Sequence, residues 1–266
     1  MRLVLAFLVL LAAGAAHAET ITLASTTSLE NSGLLDRILP LFTKATGIEV
    51  RVLAQGTGQA LATAARGDAD LVLVHDPEAE DAFIAAGHGV ARVEIAWNDF
   101  VFVGPRSDIA RLAGSSDAIG ALRKVAEAKA GFVSRGDKSG TDALEKRLWR
   151  EAGITPAGAP WYKDIGGGMG AALNVAAASD SITLTDRGTW LSFANRRELV
   201  ELVQGDARLI NRYRVIELAP SRIKSGSPAA AHALATWFAG PQAQAAIGAY
   251  TIGGKALFNP GVKVIP

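Results

Sequence analysis

Four short segments of this chain carry hydroxyl groups, glycines and one arginine at points where an apolar run gives way to a helical pattern. They are residues 25–28 (Ser-Thr-Thr-Ser), 56–58 (Gly-Thr-Gly), 134–142 (Ser-Arg-Gly-Asp-Lys-Ser-Gly-Thr-Asp) and 166–170 (Gly-Gly-Gly-Met-Gly). The start of a helix offers unpaired N–H groups and about half a positive charge, which together attract an anion. The four segments therefore predict an anion-binding chemistry based on backbone N–H groups and hydroxyls.

The third segment is the most specific of the four. Arg135 can form a bidentate pair with an oxyanion, and Asp137 is close enough in sequence to orient its guanidinium. Ser139 is a predicted N-cap with Asp142 three residues on, as in a capping box. In the second segment, Thr57 is predicted to cap the helix that follows. Because a buried oxyanion loses its hydration, each of its oxygens needs donors, and this set suits a tetrahedral oxyanion.

These segments need a scaffold that brings them together, and the apolar pattern supplies one. Short apolar runs alternate with helical patterns from residue 19 onward, which predicts an α/β fold with a mostly parallel sheet and helices on both faces. Strands are predicted at residues 21–23, 48–53, 70–74, 131–134 and 181–185. Open sheets of this kind bind ligands beyond the carboxyl ends of their strands, where the four segments lie.

Two further apolar runs indicate that the chain folds as two α/β lobes joined by two crossing strands. Residues 96–103 are predicted to leave the first lobe, and residues 213–218 to carry the chain back, with the ligand cleft between the lobes. The predicted lobes are lobe 1, residues 19–101 and 215–266, and lobe 2, residues 102–214. Two C-terminal helices, at residues 229–239 and 242–249, are expected to pack on lobe 1.

The first eighteen residues are predicted to be a cleaved secretory signal peptide. Arg2 gives a short positive region, an apolar stretch follows, and Ala16-His17-Ala18 matches an A-x-A cleavage site. No second apolar run of that length follows. We therefore expect the mature chain to be exported and not embedded in the membrane, which in a bacterium means the periplasm.

Composition excludes several functional classes. The chain has 266 residues, 27 Lys+Arg, 26 Asp+Glu and no cysteine, which excludes a disulfide scaffold, a thiolate zinc site and a cysteine nucleophile. Removing residues 1–18 takes away one arginine and no acidic residue, so the mature chain carries no formal net charge. This balance gives no reason to expect nucleic acid as a partner, and bulk charge cannot attract an oxyanion.

Enzyme motifs are also lacking in the sequence. It contains neither H-E-x-x-H nor G-x-S-x-G, and Asp137 interrupts what would be the Gly-Lys pair of a phosphate-binding loop. Three histidines remain after cleavage, His75, His88 and His232. None lies in a cluster with metal-ligand spacing, so we expect them on the surface or behind a site. We therefore expect no catalysis, no metal site and no cofactor.

Several strings in this chain resemble the periplasmic tungstate-binding proteins of the TupA type. They lie in order over nearly the whole mature chain, at residues 25–28, 56–61, 70–75, 77–80, 98–101, 104–105, 134–137, 139–141, 168–170 and 183–188. The Arg-x-Asp-x-Ser-Gly-Thr element is also similar to one in phosphate-binding proteins. The first string departs slightly from the family, which often has a third threonine where this chain has Ser25, but the hydroxyl is retained.

The resemblance implies a type II periplasmic binding protein fold with the anion held between the lobes. It also implies the solute-binding component of an ABC transporter, which captures tungstate and delivers it to a permease in the inner membrane. Carried over position by position, the resemblance assigns the following ligand-binding residues. They are Thr27 and Thr57 from lobe 1, Arg135, Thr141, Gly168 and Met169 from lobe 2, Ser28, Gly56, Ser139 and Gly140 in support, and Thr26 as the alternative to Thr27.

Other functions stay open on the sequence. Tungstate and molybdate are nearly equal in size and are both dianions, so a molybdate-binding protein of the same fold is an alternative, as is a phosphate-binding one. Alternatives from other classes are a secreted hydrolase acting on anions and a periplasmic anion sensor. We expect a monomer, with tungsten present only in the bound oxyanion.

Overall fold

The computed structural model describes residues 19–224 and 227–265, and the predicted signal peptide lies outside them. Strands and helices alternate through most of the chain, as the apolar pattern predicts. The strands are β1 Thr20–Thr26, β2 Glu49–Gln55, β3 Leu71–Val74, β4 Gly89–Pro105, β5 Phe132–Ser134, β6 Tyr162–Asp164, β7 Ile182–Asp186, β8 Leu199–Val203, β9 Ile210–Leu218, β10 Thr251–Ile252, β11 Lys255–Ala256 and β12 Asn259–Ile265. The α-helices are α1 Thr27–Asn31, α2 Leu34–Thr46, α3 Thr57–Ala65, α4 Pro77–Ala85, α5 Ala118–Ala128, α6 Gly140–Ala152, α7 Met169–Ala178, α8 Arg187–Ser192, α9 Pro228–Ala239 and α10 Pro241–Gly248.

Ten of these strands form one continuous sheet, in which β4 and β9 join two parallel parts. The order along the sheet is β2-β1-β3-β9-β4-β7-β5-β6, and β8 and β12 also pair with β4. The pairs β1–β2, β1–β3, β5–β6 and β5–β7 are parallel. Every pair that β4 or β9 makes is antiparallel, so the prediction of a mostly parallel sheet is wrong for the middle of the sheet. The reason is that β9 returns the chain alongside β4 in the opposite direction.

The crossing strand β4 is longer than the sequence predicts, because it begins seven residues before residue 96. Its first part, from Gly89 to Asp99, pairs with β9. Its next residues, from Phe100 to Val103, pair with β7. The change of partner at Asp99 and Phe100 therefore marks the point where the chain passes from one part of the sheet to the other.

Buried apolar side chains form four clusters, which fall into two groups on either side of this point. Two clusters take their side chains from residues 21–96 and 213–258 and together are called the first core, and the other two take theirs from residues 100–209 and are called the second core. Helices α9 and α10 contribute Leu234, Phe238 and Ile247 to the first core, which confirms the predicted docking of the C-terminal helices. No helix among the described residues is long and apolar enough to span a membrane.

Helix α6 is anchored in the second core by a buried carboxyl group. Glu145 is 2 % exposed, and its Oε1 accepts hydrogen bonds from Trp149 Nε1 at 3.0 Å and from the Tyr162 hydroxyl at 2.7 Å. Burial raises the pKa of Glu145 from 4.5 to about 7, against the opposing effect of the hydrogen bonds from Tyr162 and Trp149. The carboxyl therefore keeps its proton to a higher pH than an exposed glutamate does.

We predict that the substitution Glu145→Gln flattens the pH dependence of stability. As pH rises from 4.5 towards 7, the unfolded chain releases the Glu145 proton before the folded chain does, so the free energy of unfolding falls. We expect the wild type to lose about 1–3 kcal/mol between pH 5 and pH 8 relative to Glu145→Gln, measured by urea denaturation. The exposed Glu127→Gln is the control and should track the wild type. Parallel pH profiles for wild type and Glu145→Gln would contradict the assignment.

Candidate anion-binding site

The predicted site residues follow the carboxyl ends of strands from both cores. The first segment is less of a loop than the sequence suggests, because Ser25 and Thr26 belong to β1 and α1 begins at Thr27. Ser25 is fully buried and donates its hydroxyl to Leu73 O at 3.2 Å. The other segments follow β2, β5 and β6 and lead into α3, α6 and α7. The four segments therefore lie at the strand ends beyond which open α/β sheets bind their ligands.

Most of the predicted residues surround one small cavity between the two cores. Its lining includes nine of the eleven predicted residues, namely Thr26, Thr27, Ser28, Gly56, Thr57, Arg135, Ser139, Gly140 and Thr141. Gln55 and His75 complete the lining. Residues at the carboxyl ends of β1, β2 and β3 thus meet residues of the segment between β5 and α6 and of α6 itself at a single point.

Gly168 and Met169 lie at a second cavity, which shares Thr27, Ser28 and Arg135 with the first. Its lining also includes Asp137 and Asp186, two carboxylates that the small cavity lacks. The second cavity is the larger of the two, at about 480 Å³. The predicted site residues Gly168 and Met169 therefore lie near the other donors but in a different part of the cleft.

Helix N-termini point several backbone N–H groups at this cleft. Gly56 is the N-cap of α3 and Gly168 the N-cap of α7, and neither helix has a side-chain cap. In α6, Ser139 caps only the N–H of Asp142, at 3.3 Å. Because the first N–H groups of a helix have no partner within the helix, these three helices supply donors for a negatively charged ligand.

Thr57 carries the clearest signal that a ligand belongs in the small cavity. The prediction that it caps α3 is wrong, because it is the first residue of the helix and Gly56 occupies the cap position. The Thr57 side chain is 3 % exposed, and its Oγ1 has no hydrogen-bond partner among the described residues. A buried hydroxyl without a partner costs free energy, so this group is arranged for something other than the protein itself.

Arg135 is the cationic group of the cavity, and part of its guanidinium is already engaged. Its Nε and Nη2 donate to Asp137 Oδ2, which confirms the predicted pairing, and Nη1 donates to Thr141 Oγ1 at 3.2 Å. Of the five guanidinium N–H groups, one on Nη1 and one on Nη2 remain. The Arg135 residue is only 7 % exposed, so these two N–H groups act in a largely water-free environment.

Two carboxylates hold the segment between β5 and α6 in a fixed shape. Asp142 accepts from Gly136 N at 3.1 Å, from Lys138 N at 3.2 Å and from Lys146 Nζ at 2.8 Å. The predicted capping box is therefore only half formed, because Ser139 N donates to Asp137 Oδ1 instead of to Asp142. These bonds orient Arg135 at the start of the segment and the helix that follows it.

Gly136 shows how closely this segment is packed. Its φ is +61°, and a Cβ at this position would overlap the Asp164 carboxylate. Only glycine combines this left-handed backbone with such a close neighbour.

Two lining residues, Gln55 and His75, are not among the predicted ligand-binding residues, and His75 is the one whose side chain bonds to a predicted residue. It follows β3 directly and lies behind the cavity, with Nε2 at 3.2 Å from Ser28 Oγ. Burial lowers the pKa of His75 to about 4, so the ring is neutral at physiological pH. The signal that could have found it is its position, since it is a polar residue at the carboxyl end of a buried parallel strand.

The charges at the cleft are few and fixed. Burial alone would raise the pKa of Asp137, but hydrogen bonds from Ser139 and the charge of Arg135 bring it below its ordinary value. Asp186 caps α8, accepting from Thr189 N at 2.8 Å and from Thr189 Oγ1 at 2.6 Å. Within residues 19–224 and 227–265, no group of three or more histidine or acidic side chains could hold a metal ion.

We predict that Asp142 contributes more to stability than the N-cap residue Ser139. Removing the carboxylate in Asp142→Ala leaves the N–H groups of Gly136 and Lys138 without acceptors, which should lower the free energy of unfolding by about 2–4 kcal/mol. Ser139→Ala removes one cap bond and should cost about 1 kcal/mol. Urea denaturation of both variants measures the difference, and equal losses would show that the segment does not depend on Asp142.

Known proteins resemble this chain over most of its length. Residues 12–242 match the family described as "PBP superfamily domain". A tungstate-binding protein TupA of Peptoclostridium acidaminophilum is 44 % identical over 245 residues, covering 91 % of this chain and 85 % of the relative. These matches extend over almost all of the described residues.

Two solved structures are similar over their full length. The tungstate-binding protein TupA from Desulfovibrio alaskensis G20 is 43 % identical with a TM-score of 0.84, covering 92 % of this chain and 100 % of that one. The tungstate ABC transporter protein from Geobacter sulfurreducens is 41 % identical with a TM-score of 0.77, covering 87 % and 99 %. The fold is thus the type II periplasmic binding fold. The chain belongs to the PBP superfamily and, within it, to the family of the TupA tungstate-binding proteins.

Proposed function

We propose that this protein captures tungstate between its two lobes and delivers the anion to the permease of an ABC transporter. The observation that carries the proposal is the convergence of Arg135, the unpartnered Thr57 hydroxyl and the N-termini of α3 and α6 on one small cavity. The relatives named tungstate-binding proteins support the choice of oxyanion. Capture and release need no covalent step.

The lobes of this proposal are lobe 1, residues 19–101 and 215–266, and lobe 2, residues 102–214. The separation of the apolar side chains into two cores supports this division. Groups of the cavity come from both sides, so an anion bound there links the lobes. In this proposal, tungstate enters while the lobes are apart, and the donors of the second lobe then close over it.

Each donor has a defined part in holding the dianion. The two remaining guanidinium N–H groups of Arg135 provide charge-assisted hydrogen bonds, which are the strongest available here. The hydroxyls of Thr27, Ser28 and Thr57 and the first N–H groups of α3 and α6 surround the other oxygens. The N–H groups of Gly168 and Met169 at the start of α7 complete the set from the neighbouring cavity. Thr26 is less suited to direct contact, because its Oγ1 already accepts from Leu29 N and lies 3.1 Å from Ser28 Oγ.

The state of Asp137 favours a fully deprotonated oxyanion over hydrogenphosphate. A site for a protonated anion needs an acceptor, and Asp137 is the carboxylate nearest to Arg135. Its Oδ2 accepts from the guanidinium of Arg135 and its Oδ1 from Ser139 N. Both carboxylate oxygens are thus engaged in positioning the donors. Tungstate, which carries no proton at neutral pH, requires only donors.

The setting of this function is also part of the proposal. We infer that residues 1–18 direct export, that the mature chain acts as a monomer in the periplasm, and that a permease in the inner membrane receives the anion. The membership of the TupA family supports this setting.

We predict that the wild type binds tungstate with sub-micromolar affinity in calorimetric titration, with phosphate binding far more weakly. Arg135→Ala should lower the tungstate affinity at least about 100-fold, because it removes charge-assisted donors from a buried anion. Arg66→Ala is the matched control, since Arg66 is an exposed arginine paired with Asp68, and it should leave the affinity unchanged. Tight binding of phosphate without tungstate would refute the proposed ligand.

We also predict that Gly140→Ala weakens tungstate binding at least about 10-fold without unfolding the protein. A Cβ at Gly140 would lie 2.8 Å from His75 Cε1 and 3.3 Å from Thr57 Oγ1, so α6 could not approach the first core closely enough. Gly261→Ala serves as the control because Gly261 lies outside the site and a Cβ there would make only ordinary contacts with Trp97, at 3.5 Å and 3.7 Å. Equal affinities for the two variants would mean that the cavity does not depend on this approach.

A further inference from the structure

The His75 ring and Gly140 form the wall between two cavities. Both residues line the small anion cavity, and both also line a cavity of about 390 Å³ on the other side. This 390 Å³ cavity is lined by three acidic residues and four arginines, whereas Arg135 is the one charged residue that lines the anion cavity, so the two sides differ in the number of charged groups as well as in size. Whatever holds the His75 ring in place therefore shapes the anion cavity.

Packing fixes the ring from several sides. The ring centroid lies 5.0 Å from that of Tyr213 on β9, and the side chain is 8 % exposed. On the opposite side, the missing Cβ of Gly140 leaves just enough room for the edge of the imidazole. The ring thus contacts a crossing strand and the N-terminus of α6 at the same time.

The hydrogen bonds of the ring determine which nitrogen carries the proton. Nε2 lies 3.2 Å from Ser28 Oγ, whereas Nδ1 is buried and has no partner among the described residues. A buried N–H without an acceptor is rarer in proteins than a buried acceptor without a donor. We therefore assign the proton to Nε2, which donates to Ser28 Oγ.

A proton on Nε2 determines the direction in which the Ser28 hydroxyl points. Thr26 Oγ1 accepts from Leu29 N and lies 3.1 Å from Ser28 Oγ, so its own hydrogen can go to Ser28. Ser28 Oγ then accepts from Thr26 and from His75. Its single hydrogen is left to point away from both, into the cavity that Ser28 lines.

The geometry points to His75 as a positioning residue of the oxyanion site, whose neutral ring turns the Ser28 hydroxyl toward the bound anion and closes the cavity against Gly140. This inference rests on the proposed function, because it concerns the same anion.

Three titratable groups surround the ring and bear on its charge. Burial keeps the pKa of His75 low, at about 4, while Asp186 and the neighbouring side chain of Asn211 raise it and Arg135 lowers it. Tyr213, which faces the ring from β9, is itself neutral because burial raises its pKa. The ring therefore stays neutral through the range in which tungstate is a stable dianion, and it acts through its hydrogen bond and not through charge.

The test is a double-mutant cycle between His75 and Ser28, with tungstate affinity measured by calorimetry. His75→Phe keeps a ring but removes the hydrogen bond, and it should lower the affinity about 10- to 100-fold. In the Ser28→Ala background, the same substitution should change the affinity less than about 3-fold, because the hydroxyl it positions is gone. His75→Gln, whose amide nitrogen can replace Nε2, should retain most of the affinity. If His75→Phe does not fold, His75→Asn, whose amide is too short to replace Nε2, takes its place in the cycle.

Two controls separate this inference from a general structural effect and from the proposed function. His88→Phe replaces a histidine that packs on Phe83, away from the site, and should bind like the wild type. The wild-type affinity should be constant between pH 6.5 and pH 8.5. The inference is overturned if His75→Phe binds normally, if its loss is equally large without Ser28, or if His75→Gln is as weak as His75→Phe. A wild type that binds no tungstate overturns the proposed function instead.

Discussion

The antiparallel pairing of β4 with β9 is the constraint on which the rest of the structure depends. The pairing runs from Gly89 opposite Leu218 to Asp99 opposite Ile210, so it is maintained along nearly the whole of β9. At the end of this pairing, near Asp99, β4 continues into the second core. At the same point β9 begins, just after the chain has left that core. The buried amide of Asn211 adds a side-chain bond to Asn98 at 2.8 Å at this junction. Because both cores are built on β4, its register decides how the two halves of the anion site face each other.

A chain with almost no formal net charge can bind an anion only through donors that are local and fixed in advance. Arg135 achieves this through Asp137, whose carboxylate both neutralises and orients the guanidinium, while Asp142 fixes the backbone around it. The helix N-termini add N–H groups that cost no conformational freedom on binding. Contacts between the cores also restrict the cleft, since Arg147 of α6 lies 3.3 Å from Glu78 and 3.8 Å from Asp76 of the α4 N-terminus. Preorganisation of this kind takes the place of bulk electrostatic attraction, which is weak for a chain whose formal net charge is only +1.

Local features of the sequence predict a large part of the fold and of the site. The N-cap at Ser139, the pairing of Arg135 with Asp137 and the docking of the C-terminal helices follow from residue types and short spacings, and all are confirmed. The predictions are wrong where two neighbouring groups can make the same local interaction. Gly56 takes the cap position of α3 instead of Thr57, and Asp142 bonds to Gly136 and Lys138 instead of Ser139. Glycine and threonine both suit an N-cap, and a carboxylate has more than one N–H within reach, so spacing alone cannot choose between them.

The sequence by itself determined the alternation of elements, the donor types and the family. Those properties depend on residues near one another along the chain. Tertiary structure alone decided the antiparallel middle of the sheet, since strand direction depends on where the chain returns and not on the pattern of one strand. It alone decided that Gly140 meets His75 and Thr57 without room for a Cβ. It also decided that His75 is neutral and bonded to Ser28, because burial and partners 47 residues apart set both properties. The position of a histidine after an apolar run does not predict its charge or its hydrogen bond, because both arise only when β1 and β3 pair in the folded sheet.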